Sequence, residues 1–114
     1  MSTYLHNSRC SKSRQGLQLL ENANKKFTVR EYLKEPLTKS ELGALYDLLI
    51  KKYELKEFTR TKEKAFKENN LDASSLNKTN WIKAVMDNPV LLERPILMTK
   101  TKAIVGRPPE NLLS

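Results

Sequence analysis

The chain has little sulfur chemistry, little glycine and few rings: one cysteine, one histidine, one tryptophan and three glycines in 114 residues. A lone cysteine excludes an intrachain disulfide. No apolar run is long enough to cross a bilayer, so no membrane association is expected. The first residues read as a strand and lack the apolar stretch of a secretory signal. Together with the unpaired thiol, these absences lead to an expectation of a reducing, cytoplasmic setting. Internal repeats, low-complexity tracts and recognisable nucleic-acid-binding motifs are missing too. No metal site is expected. The net charge of +8 and isoelectric point of about 9.7 would suit a nucleic-acid partner, but the distribution argues against one. Lysines are interleaved with Glu41, Asp47, Glu54, Glu57, Glu63 and Glu68, the pattern of solvated helix faces.

What remains is enough for one domain over residues 1–114, with 39% hydrophobic and 30% charged residues. Residues 2–6 read as a strand, 11–23 as a helix ending near Asn24, and Phe27–Tyr32 as a second strand, which makes a βαβ unit. Thr38 and Glu41 form a capping box. It opens a helix carrying Leu42, Leu45, Leu48 and Leu49 on one face. Residues 53–70 suit one or two short helices flanking Arg60. Asn77 can cap a helix whose buried stripe is Trp81, Ile82, Val85 and Met86, stopped by Asn88-Pro89. Ile96–Met98 and Ala103–Val105 read as a hairpin around Lys100–Lys102. Pro108 suits the first position of a short final helix. The expected fold is α/β: a thioredoxin-like mixed sheet of βαβ plus a C-terminal β-hairpin and helix, with a helical insertion over about 37–90.

Cys10 falls where the first strand gives way to the first helix. The unpaired N–H groups and positive dipole end of a helix start favour a thiolate there. They also suit a bound anion. Many lone cysteines are inert core residues. The polar neighbours Arg9, Ser11, Lys12 and Ser13 speak against a core position, and Arg9, Lys12 and Arg14 are expected to add positive charge beside the sulfur. Three further arginines, Arg60, Arg94 and Arg107, lie in loop segments beside Thr, Pro or Gly. Their planar donor forks match tetrahedral oxyanions.

The segments His6-Asn7-Ser8-Arg9-Cys10-Ser11-Lys12-Ser13-Arg14, Glu93-Arg94-Pro95-Ile96 and Ile104-Val105-Gly106-Arg107-Pro108-Pro109-Glu110 resemble the ArsC-type, glutaredoxin-linked arsenate reductases. Tyr32–Pro36 and Arg60–Glu63 are similar to that family as well, and the match runs in order along nearly the whole chain. The resemblance implies that Cys10 is a nucleophile toward arsenate or a similar oxyanion, and that Arg60, Arg94 and Arg107 bind the oxyanion. His6, Ser13 and Arg14 would support the thiolate loop, and Pro95 would be the cis-proline of a thioredoxin-like fold. It further implies no bound cofactor. Glutathione is the implied co-substrate, and glutaredoxin is the partner that completes reduction to arsenite. One departure is Ser8, where the family usually has proline. The change removes a fixed φ from the loop. Three other readings stand beside this one: an ArsC-family protein with a different thiol-redox substrate, a general thiol oxidoreductase acting through Cys10 alone, and an Spx-like transcriptional adaptor. In the last case Ser13 at the second position of the Cys-x-x-Cys motif removes any intrachain switch.

Overall fold

The computed structural model describes residues 2–113. Contacts within the chain separate into two compact units. The first comprises, of the described residues, 2–35 and 94–113, and the second is Pro36–Glu93.

The first unit carries a four-stranded mixed sheet of β1 (Ser2–Leu5), β2 (Phe27–Arg30), β3 (Ile96–Met98) and β4 (Ala103–Val105), in the order β2-β1-β3-β4. β1 runs parallel to β2 across the connecting helix α1 (Ser11–Asn22) and antiparallel to β3, and β3 pairs antiparallel with β4. This is the thioredoxin-like layout expected from the order of elements. α1 ends because Asn24 takes the left-handed conformation, φ 56°, so that Lys25 N–H can return to the Leu20 carbonyl at 3.1 Å. Asparagine tolerates that backbone better than most residues other than glycine. Tyr4, Leu20, Leu97, Ile104 and Leu112 form the unit's core, with Leu17 and Phe27 packed against it.

Two boundaries differ from the sequence expectation. β2 stops at Arg30, because the Glu31 carbonyl accepts the N–H groups of Lys34 and Glu35 and turns the chain. Tyr32 is therefore a buried turn residue and not part of the strand. The final helix is a 3-10 segment, Pro109–Leu113, one residue later than expected. The Arg94–Pro95 peptide is cis, and so is Arg107–Pro108.

The second unit is helical: α2 (Lys39–Leu49), α3 (Leu55–Phe58), α4 (Lys64–Glu68), α5 (Lys78–Asp87) and a 3-10 turn at Pro89–Leu91. Both halves of the Thr38–Glu41 capping box are made. α3 and α4 flank Arg60, as expected. Trp81, Phe58 and Tyr46 pack as an aromatic cluster with ring centroids 5.3–6.0 Å apart. The indole N–H of Trp81 donates to Thr59 Oγ1 at 2.8 Å, with both residues buried. Met86, expected in the α5 stripe, is instead 46% exposed, and Ala84 takes the inward position. No helix among the described residues is long and apolar enough to cross a membrane.

Candidate active site

Strand register explains why residues far apart in sequence meet. Leu5 of β1 lies opposite Ile96 of β3, and Ile96 lies opposite Val105 of β4. The pairing continues past the strand ends, since Gly106 N–H donates to the Pro95 carbonyl at 2.8 Å. The loop after β1, the residue before Pro95 and the residue after Gly106 therefore emerge at one end of the sheet. These positions carry Cys10, Arg94 and Arg107. Gly106 is required there: a Cβ would stand 2.8 Å from Pro95 Cγ and 3.0 Å from Leu112.

Cys10 is the N-cap of α1, with extended backbone (φ −95°, ψ 123°), and is half-buried. The loop leading to it is closed by hydrogen bonds. Asn7 Oδ1 accepts Arg9 N–H, Cys10 N–H reaches the Asn7 carbonyl, and Arg14 Nη1 donates to the Ser8 carbonyl at 2.8 Å. These contacts hold the turn around Ser8.

The largest influence on the thiol is burial, which pushes its pKa up. The backbone N–H of Ser13, the hydrogen bond and charge of Arg94, and the backbone N–H of Lys12 together outweigh burial, so the net shift is downward. No N–H of the first turn makes a close cap hydrogen bond to the sulfur. The helix start thus acts on it at longer range than a made bond. Arg107 Nη2 lies 4.0 Å from Sγ, the outer edge of a sulfur contact. The positive charge beside the sulfur comes from Arg94, with Arg107 at 4.0 Å, and not from Arg9, Lys12 and Arg14, which were expected to supply it. Arg9 and Lys12 are exposed, and Arg14 is engaged with the Ser8 carbonyl.

His6 and Ser13 are both buried. Ser13 Oγ lies 2.7 Å from His6 Nδ1 and accepts Asn7 N–H at 3.0 Å. A hydroxyl hydrogen directed at Nδ1 satisfies both groups and leaves the imidazole proton on Nε2. Burial lowers the His6 pKa; Glu31 opposes that shift and Arg14 adds to it.

The structure thus brings together Cys10, Arg94, Arg107, His6, Ser13, Arg14 and Pro95 in one unit. Arg60 belongs to the second unit, where its Nη2 is 2.8 Å from Glu63 Oε1 and its Nη1 is 4.0 Å from Glu93 Oε1. Two participants were not singled out in the sequence. Tyr4 donates to the Ser13 carbonyl at 2.6 Å, and Gly16 leaves room for it, since a Cβ there would collide with the Tyr4 hydroxyl. A glycine inside a helical pattern was the one available signal. Among the described residues, no group of three or more His, Cys, Asp or Glu is placed to hold a metal.

A thiol at the N-cap of the helix after the first strand of this mixed sheet, beside two arginines from the hairpin side, defines a thioredoxin-like protein with a thiol among guanidinium groups. The chain belongs to the ArsC family, whose pattern matches residues 5–114. It is 41% identical over 107 residues to an arsenate reductase of Neisseria meningitidis serogroup A, covering 94% of this chain and 91% of that protein. It is 44% identical over 110 residues to the uncharacterized protein YfgD of Escherichia coli K12, covering 95% of this chain and 90% of that one. Among solved structures, an arsenate reductase from Vibrio cholerae superposes with a TM-score of 0.88 at 39% identity, covering 98% of this chain and 94% of that one.

Proposed function

We propose that this protein is an arsenate reductase acting through the Cys10 thiolate, with glutathione and glutaredoxin as external reductants. The observation that carries the reading is the juxtaposition of Cys10 with Arg94 and Arg107. Arsenate and a thiolate are both anions, and their approach is opposed by charge. Guanidinium groups fixed beside the sulfur before the reaction offset that repulsion without reorganising. Arg94 stabilises the nucleophile and, with Arg107, holds the oxyanion. The family relationship, and relatives named arsenate reductase, support the same substrate.

In the proposed reaction the Cys10 sulfur forms a bond to arsenic(V), and one arsenate oxygen leaves as water after protonation. Glutathione then bonds its sulfur to arsenic as a second arsenate oxygen leaves as water. A glutaredoxin thiol then forms a disulfide with that glutathione sulfur, and the two electrons released reduce arsenic(V) to arsenic(III). Hydrolysis frees arsenite and returns Cys10. One protein thiol suffices because the other two come from outside, and this chain has one. Arg94 and Arg107 are enough for this reading, which does not depend on Arg60.

The test is arsenate-dependent NADPH oxidation in an assay coupled through glutathione, glutaredoxin and glutathione reductase. Turnover that disappears in Cys10→Ser supports the proposal. A silent assay with folded protein sinks it and leaves an ArsC-family protein acting on another oxyanion or thiol substrate.

A further inference from the structure

Ser13 is fastened on three sides. Its hydroxyl joins His6 Nδ1 and the Asn7 N–H, and its carbonyl accepts the Tyr4 hydroxyl at 2.6 Å. Asn7 belongs to the loop that carries Cys10, and His6 stands just past the end of β1, with its N–H on the Arg30 carbonyl at 2.9 Å. Tyr4 lies deeper in the sheet. It sits on β1, an interior strand of the sheet, with its backbone paired to Val29 on one side and Leu97 on the other. Its ring is fully buried beside His6 and Phe27, at centroid distances of 5.7 and 6.0 Å. Tyr4 therefore ties the network to the interior of the sheet. Burial, its largest influence, raises its pKa to about 12, so the phenol keeps its proton and remains a donor wherever the thiol titrates. Gly16, one turn along α1 from Ser13, is what lets the hydroxyl approach.

We propose that Tyr4 is a positioning residue for the Cys10 thiolate: its phenol ties the Ser13 carbonyl to the central sheet and so holds the Ser13 N–H toward the sulfur. A tyrosine used only for packing would keep its effect in phenylalanine, which preserves the ring. A tyrosine used for positioning loses it with the hydroxyl. The proposal rests on Cys10 being a working thiolate and not on the identity of the oxidant. It can therefore be read without arsenate.

The experiment is the pH dependence of Cys10 alkylation by iodoacetamide in the full chain, for wild type, Tyr4→Phe and Leu20→Ala. Leu20 belongs to the same core cluster but has no polar group to lend. The charged and titratable groups that bear on the profile are Arg94 and Arg107 beside the sulfur, Tyr4 itself, and His6 with its neighbours Glu31 and Arg14. Tyr4→Phe should move the profile to higher pH, with alkylation on its acid limb roughly threefold slower, the scale of weakening one N–H interaction with a charged group. Leu20→Ala, compared at equal folded fraction, should leave the profile in place. An unmoved profile in folded Tyr4→Phe overturns the proposal, and so does an equal displacement in Leu20→Ala. If Tyr4→Phe does not fold, the wild-type protein supplies the readout by NMR. The Ser13 amide should shift with the Cys10 titration and be among the slowest to exchange in the loop. An indifferent or fast-exchanging Ser13 amide overturns the proposal. Failure of the arsenate assay leaves this result standing. A moved profile likewise says nothing about arsenate.

Discussion

Arg107 Nε donates to the Arg94 carbonyl oxygen at 2.8 Å. One arginine thereby fixes the backbone of the other, and the pair is a single unit at the end of the β3–β4 hairpin. Arg94 bears on the Cys10 sulfur through charge and hydrogen bonding. Arg107 reaches it only at 4.0 Å.

The two arginines should therefore differ in their effect on the thiol. Cys10 should alkylate at lower pH than an ordinary cysteine. Arg94→Ala should slow alkylation on the acid limb about tenfold, the scale of losing a charge-assisted hydrogen bond. Arg107→Ala should slow it less, because Arg107 is exposed and Arg94 is the arginine that lowers the thiol's pKa. Iodoacetamide kinetics across pH checks the order, and a larger effect at Arg107 would reverse the assignment.

Both arginines should matter for anion binding. Sulfate, phosphate or arsenate at about tenfold above its dissociation constant should stabilise the fold by roughly 1.4 kcal/mol through mass action. Thermal melts with and without anion should show this in wild type and show little of it in Arg94→Ala or Arg107→Ala. A melting temperature indifferent to all three anions argues against an oxyanion clamp.

Gly106 sits where the hairpin meets Pro95 and Leu112. A Cβ there has to displace ring and side-chain carbons 2.8–3.0 Å away. Gly106→Ala should cost about 1–3 kcal/mol, the usual range for overpacking. It should also lower turnover, because Arg107 is the next residue. Urea unfolding measures the first effect and the coupled assay the second.

The His6 pKa lies below its ordinary value of 6.5, mainly because the ring is buried. Below that value the unfolded chain binds a proton that the folded chain resists. Stability from this group is therefore complete above about pH 6.5 and falls as the pH drops toward the folded-state pKa. His6→Gln should flatten that part of the pH–stability curve, measured by urea midpoints at closely spaced pH values. An unchanged slope would mean that another group causes the fall.

Trp81 is the one tryptophan in the chain, so its fluorescence reports on the helical unit alone. Thr59→Val removes the acceptor of the buried indole N–H and should cost roughly 1–3 kcal/mol, the penalty for an orphaned buried donor. A fluorescence-detected unfolding curve within about 0.5 kcal/mol of wild type would show that the bond contributes little.

Signals confined to a few neighbouring residues were readable in the sequence. The Thr38–Glu41 box needs only residues three apart, and both of its bonds are made. The Cys10 N-cap was legible for the same reason. Errors arose where local pattern met packing. Val29 and Tyr32 favour strand, yet the chain turns on the Glu31 carbonyl and buries Tyr32 there. In α5 both Ala84 and Met86 adjoin the apolar stripe, and packing selected the smaller side chain. Ser13 looked like a polar loop-lining residue, but it is fully buried and joined to Tyr4, His6 and Asn7.

By itself the sequence determined the order of the elements, their caps, and the placement of one thiol at a helix start. Each of these depends on dihedral preferences and hydrogen bonds within a turn or two of chain. Only the tertiary structure decided what stands beside that thiol. Arg107 is 97 residues from Cys10 and approaches it because β1, β3 and β4 pair in one register. The adjacent cations Arg9, Lys12 and Arg14, which sequence proximity favoured, are exposed or held elsewhere. Proximity along the chain does not set the direction of a side chain. The pairing of β-strands does, because it fixes which ends of distant segments emerge together.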